Sequence, residues 1–147
     1  MALPSRLRVL SHLSHERSAA EATMFLAKFK ARTDGDAPFF TSDQLPAYVA
    51  ALIANYSTPE PPPRARGPGR PRKAPKRVVD PHLRYAQVDK RRVGGRVVEV
   101  KRHILFGSEA DIVQVLATDR CGAQINTSYV ERDNLTSRYN VPRKLDH

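Results

Sequence analysis

An α/β fold is what this sequence predicts, on three observations. Two stretches carry apolar residues at helical spacing. Several short runs rich in β-branched and aromatic residues lie between turn signals. The two kinds of stretch alternate along the chain. At 147 residues and 40% apolar composition, the chain is the size of one domain with a modest core.

Element by element, Leu7-Arg8-Val9-Leu10 reads as the end of a strand. Residues 16–32 then read as an amphipathic helix. Ala22, Phe25, Leu26 and Phe29 keep the i, i+3, i+4, i+7 spacing of one buried stripe, with Lys28, Lys30 and Arg32 off it. Asp34-Gly35-Asp36 ends that helix, and Ala37-Pro38-Phe39-Phe40-Thr41 reads as a short strand. A second helix is expected over 44–56, where Leu45, Val49, Leu52, Ile53 and Tyr56 share a face. Pro46 falls in its first turn, where a missing N–H costs little.

Residues 57–80 differ in kind. Seven of the twelve prolines lie from Pro59 to Pro75, interleaved with Arg64, Arg66, Arg70, Arg72, Lys73, Lys76 and Arg77. Those seven cations supply most of the net charge of +10, and no acid lies between Pro61 and Val79. Such a segment buries too little apolar surface to offset its ordering entropy, so it reads as a disordered basic insertion. A localised cationic tract is the footprint of a polyanionic partner, most often nucleic acid. Within it, Arg66-Gly67-Pro68-Gly69-Arg70-Pro71-Arg72-Lys73 resembles an AT-hook, whose arginines enter the narrow minor groove of A/T-rich DNA. A solvated basic linker is the alternative. Neutralisation of phosphates by ~5–7 cations predicts a slope of log K against log salt on the order of −5 to −6.

Beyond the tract, Leu83 to Lys90 and Arg96 to Phe106 read as strands joined through Gly94-Gly95, a pair suited to a tight hairpin. In the second of them Val98, Val100, Ile104 and Phe106 share a face, interrupted by Arg102. Ser108-Glu109-Ala110-Asp111 opens a short helix with Ser108 as cap, and Ile112, Val115 and Leu116 form its apolar side. After Asp119-Arg120-Cys121-Gly122 a last helix is expected over 126–138. The chain thus divides into 6–56, the insertion 57–80, a second folded part 81–138 and a tail 139–147.

Several function classes find no support. The single Cys121 excludes an internal disulfide and a multi-cysteine zinc site, and fits a reducing cytosol. No apolar run approaches the ~20 residues of a membrane span, and residues 1–6 lack the apolar core of a signal peptide. A soluble cytoplasmic, nucleoid-associated protein is therefore expected. His12 and His15 stand three apart, a metal-capable spacing on a helix, but no further ligand is near and surface or cap roles are the ordinary reading. There is no phosphate-binding glycine loop and no nucleophile elbow.

Two acids stand in more suggestive settings. Asp43 follows a short apolar strand at the mouth of a helix, where it can cap that helix or serve as a strand-end metal ligand. Glu131 shares a helix face with Asn134 at i+3 and Arg138 at i+7, so acid, amide and cation point together, as they also do on an ordinary solvated face.

Phe39-Phe40-Thr41-Ser42-Asp43-Gln44-Leu45-Pro46-Ala47-Tyr48 is similar to the second-aspartate region of transposases of the insertion-sequence-one type. Ile125-Asn126-Thr127-Ser128-Tyr129-Val130-Glu131-Arg132-Asp133-Asn134-Leu135-Thr136 resembles their glutamate helix. The likeness covers roughly residues 6–136, with the Pro/Arg segment as a variable insertion. It implies part of a ribonuclease-H-like fold, a mixed sheet flanked by helices. Asp43 and Glu131 would be two of three carboxylates holding Mg²⁺, and Arg64–Arg77 and Arg138 would contact DNA. Enzymes of that family cut and join DNA through a pair of metal ions about 3.5–4 Å apart, and Mg²⁺ favours carboxylate oxygen. The implied partners are transposon-end DNA and a full-length transposase. The family's first aspartate has no counterpart here, since residues 1–15 contain no acid. Both ends read as truncated, and the expectation is DNA binding without strand transfer by this chain alone.

Overall fold

The computed structural model describes residues 8–12, 14–60, 76–118, 125 and 127–140, with backbone alone at 129 and 137–140. Along these, the order is α1 (Ala19–Ala31), β1 (Phe39–Ser42), α2 (Ala47–Asn55), β2 (Ser57–Pro59), β3 (Arg77–Val79), β4 (Arg84–Val93), β5 (Arg96–Phe106), α3 (Glu109–Thr118) and α4 (Ser128–Asn140). The protein is mixed α/β, with a mixed sheet ordered β1-β4-β5, a separate β2-β3 ribbon, and flanking helices. Instead of the single domain its length predicts, the chain forms two compact units, one built on α1, α2, β2 and β3 and the other on β1, β4, β5, α3 and α4.

In the first unit, α1 begins at Ala19 because Ser18, in extended backbone, accepts a hydrogen bond from the Glu21 N–H at 3.3 Å. Such a cap is worth about 1 kcal/mol. Residues 16–18 therefore stay outside a helix expected to start at 16. Ala22 and Leu26 are buried from its apolar stripe, and Phe25 and Phe29 are half-buried. His12 Nε2 lies 2.9 Å from Glu21 Oε2. That hydrogen bond holds the Glu21 carboxyl below its ordinary value against partial desolvation.

The α2 helix packs on α1 and buries Ala51 and Leu52, with Tyr56 buried just past its end. Pro46 is its N-cap residue, in helical backbone and without a side-chain cap bond. Its C-terminal carbonyls are taken by cations, as orphan groups at the negative end of a helix favour. Lys30 Nζ donates to Asn55 O (2.9 Å) and sits 4.8 Å from the centre of the Tyr56 ring. Arg77 Nη2 donates to Ala54 O (3.0 Å).

The ends of the Pro/Arg segment are ordered, contrary to the expectation of disorder over all of 57–80. Ser57, Thr58 and Pro59 pair antiparallel with Val79, Val78 and Arg77, and the Glu60 N–H donates to Lys76 O at 2.7 Å. The backbone ladder supplies what the side chains lack. Residues 61–75 lie outside the described residues.

In the second unit, β4 and β5 form an antiparallel hairpin whose turn residues, Gly94 (φ 56°) and Gly95 (φ 76°), both adopt the left-handed conformation of a type I′ turn. Only the base of the hairpin belongs to the core. Tyr85, Ala86 and Val88 of β4 are buried, along with Ile112 and Leu116 of α3, Ile125 and Thr127. The expected apolar face of β5 is not buried. Val98 and Val100 are exposed and only Ile104 and Phe106 are partly covered. A register shift between Arg91 and Arg92 moves the pairing from Glu99 to Val97 and leaves Val98 out of the ladder.

Ser108 caps α3 as expected, accepting from the Asp111 N–H at 3.1 Å. Residues 8–10 form no strand; instead Arg8 pairs with Asp133 of α4 at 2.6 Å. Helix α4 also runs to Asn140, past the expected limit of 138. Asp119 to Gly122 lie outside the described residues. Among the described residues, no helix is long and apolar enough to cross a membrane.

Candidate functional site

Glu131 sits in the first turn of α4, its N–H bonded to Thr127 O (3.0 Å). Its carboxylate meets two hydrogen-bond donors and a further cation. Thr127 Oγ1, in a buried residue, donates to Oε1 at 2.6 Å, Lys90 Nζ donates to the same oxygen at 2.6 Å, and Arg92 Nη2 lies 3.8 Å from Oε2. Partial burial by itself would raise the Glu131 pKa. The hydrogen bonds from Lys90 and Thr127 and the charges of Lys90 and Arg92 outweigh it and lower the pKa. Glu131 is thus an ionised carboxylate that ties α4 to β4.

Asp43 is exposed and directly follows β1. It does not cap α2, which begins at Ala47 without a side-chain cap. The strand end beside it is pinned instead by Ser42, whose Oγ lies 2.7 Å from Tyr85 OH and donates to Asp43 O at 2.6 Å. Gln87 Nε2 donates to the same phenol at 2.9 Å. These bonds connect β1 to the start of β4, whereas Glu131 is tied to Lys90. Those two points of β4 are roughly 16 Å apart at ~3.3 Å per strand residue.

Among the described residues, no group of three or more His, Cys, Asp or Glu side chains is placed to hold a metal ion. No family model, curated protein or solved structure matches this chain.

The DNA-contact residues read from the sequence divide three ways. Arg64, Arg66, Arg70, Arg72 and Lys73 lie outside the described residues, as does the side chain of Arg138. Lys76 is exposed. Arg77 is committed to structure, donating to Ser57 Oγ (2.7 Å) and Ser57 O (3.2 Å) as well as to Ala54 O. Sequence reasoning missed Lys90, Arg92 and Thr127 as partners of Glu131. Thr127 at i−4 was readable as a helix neighbour, but nothing local marks Lys90, 41 positions away.

Proposed function

We propose that the chain is related to the catalytic domain of insertion-sequence-one-type transposases, binds DNA and does not cut it unaided. The resemblance of the Asp43 and Glu131 segments supports the lineage, and the mixed sheet with flanking helices agrees with part of a ribonuclease-H-like fold. The observation that carries the non-cutting half is the Lys90 ammonium at 2.6 Å from Glu131 Oε1, with Arg92 beside the other oxygen. Glu131 Oε1 is already engaged by Lys90 and Thr127, and the charges of Lys90 and Arg92 oppose a divalent cation beside that carboxylate. These residues as arranged do not fit Mg²⁺. The function left to the chain is binding, through the cations of 64–76, to transposon-end or A/T-rich duplex DNA.

A nicking assay on supercoiled plasmid with and without Mg²⁺, run beside a gel-shift assay, tests both halves. The expected result is duplex binding with no Mg²⁺-dependent nicking. Mg²⁺-dependent nicking that disappears in both Asp43→Ala and Glu131→Ala would overturn the non-cutting half. Absence of duplex binding would overturn the other.

A further inference from the structure

The outer part of the β4–β5 hairpin has no core beneath it. Every residue from Arg91 to His103 is exposed, including Val93 (57%) and Val98 (56%). Between Lys90 and Arg102 lie six cations, Lys90, Arg91, Arg92, Arg96, Lys101 and Arg102, and one acid, Glu99. That acid is held by Lys101 at 3.4 Å. Lys90 is engaged by Glu131, and Arg102 Nε donates to Ile125 O at 2.8 Å. Arg91 and Arg96, by contrast, have no ion pair or side-chain hydrogen bond among the described residues. They flank the turn at Gly94-Gly95. Excess positive charge on an exposed element is complementary to a polyanion.

We propose that this hairpin is a second DNA-contacting element, an arm that lays its tip cations against the phosphates of duplex DNA. The inference deepens the DNA-binding reading above and rests on it, but through residues outside the Pro/Arg tract. Shape favours duplex. The strands of a ribbon lie about 4.8 Å apart, and the B-DNA major groove, about 12 Å wide, admits a two-stranded ribbon. Arg91 and Arg96 then meet the bordering phosphates. Val93, Val97 and Val98, exposed on the same tip, offer apolar contact to sugars and thymine methyl groups.

Fluorescence anisotropy with a short labelled duplex, titrated at several salt concentrations, tests this on the full chain. The variants are Arg91→Ser with Arg96→Ser, Arg91→Lys with Arg96→Lys, and replacement of 61–75 by Asn-Gly. The double Ser variant is expected to bind on the order of tenfold more weakly or worse, with a salt slope shallower by about 2. The double Lys variant restores the slope, because phosphate neutralisation needs only the charge. A wild-type slope and affinity in the double Ser variant overturns the arm while leaving the tract's DNA binding intact. A loss that Lys fails to restore also overturns it, since the defect is then not electrostatic. Two further results would overturn it: wild-type arm cations needed for anionic vesicles or self-association but not for duplex, and preference for single-stranded RNA over duplex. If the wild type binds no duplex, the arm and the broader DNA-binding reading both fall.

Discussion

Glu131 owes its acidity to opposing influences, and the balance has a consequence in pH. Burial acts to raise its pKa, but the hydrogen bonds from Lys90 and Thr127 and the charges of Lys90 and Arg92 prevail and lower it from its ordinary value. For a depressed carboxyl the unfolded chain binds protons first as pH falls. The stabilisation is therefore full above the unfolded value and lost as pH falls through the folded one. Glu131→Gln keeps the side-chain shape but cannot titrate. At neutral pH, with Glu131 43% exposed, the substitution is expected to cost about 0.5–1 kcal/mol, the upper range for a solvent-accessible pair. The Tm gap between wild type and Glu131→Gln should be widest near neutrality and close progressively below about pH 4.5. Thermal melts from neutral pH into acid read this directly. A gap that stays constant, or widens in acid, contradicts the ion-pair assignment.

Elements whose signals are local were legible in the sequence, and those that depend on distant partners were not. The stripe of Ala22 and Leu26, the Ser108 cap and the Gly94-Gly95 turn each specify their structure within a few residues. The β2–β3 ribbon was hidden because Ser57-Thr58 and Val78-Val79 become strands only by pairing with each other across a Pro-rich segment. Arg77 likewise looked like one more tract cation, and its role at the end of α2 needed the fold. In the candidate site, Glu131 was readable as a helix acid, whereas Lys90 required the hairpin to be set beside α4. The hairpin's own stability lies in its turn. A Cβ at Gly95 would meet no atom within 4 Å, so Gly95→Val is expected to cost about 1–2 kcal/mol through left-handed backbone strain alone. Gly94→Asn should be near neutral, because Asn tolerates that conformation. With the outer arm exposed, the Val substitution should act locally. Amides of 91–99 should exchange roughly tenfold faster or more, with little change in global Tm. Equal protection in Gly95→Val and wild type would argue against the turn's part in holding the arm.

On the scale of the whole chain, the Pro/Arg tract is continuous in sequence with the folded units and is expected to be separable from them in energy. Glu60 and Lys76 are joined by a backbone hydrogen bond of 2.7 Å, directly after the paired strands Ser57–Pro59 and Arg77–Val79. The two described ends of the tract, Glu60 and Lys76, therefore lie side by side. Replacing 61–75 by Asn-Gly converts β2–β3 into a tight hairpin with a favoured turn, and a shorter connection slightly lowers the entropy cost of closing the ladder. Stability should change by less than about 0.5 kcal/mol in either direction. DNA binding should change much more, because five cations leave with the segment: Arg64, Arg66, Arg70, Arg72 and Lys73. Each phosphate contact contributes about 0.9 to the slope, so the dependence on log salt should become shallower by about 4–5. Urea melts and salt titrations on the same two proteins measure the two quantities independently. A large loss of stability on removal would mean that 61–75 packs on the fold instead of leaving it. An unchanged salt slope would remove the tract from the DNA interface, and any duplex binding left would have to come from cations of the folded units, with Arg91 and Arg96 the first to substitute.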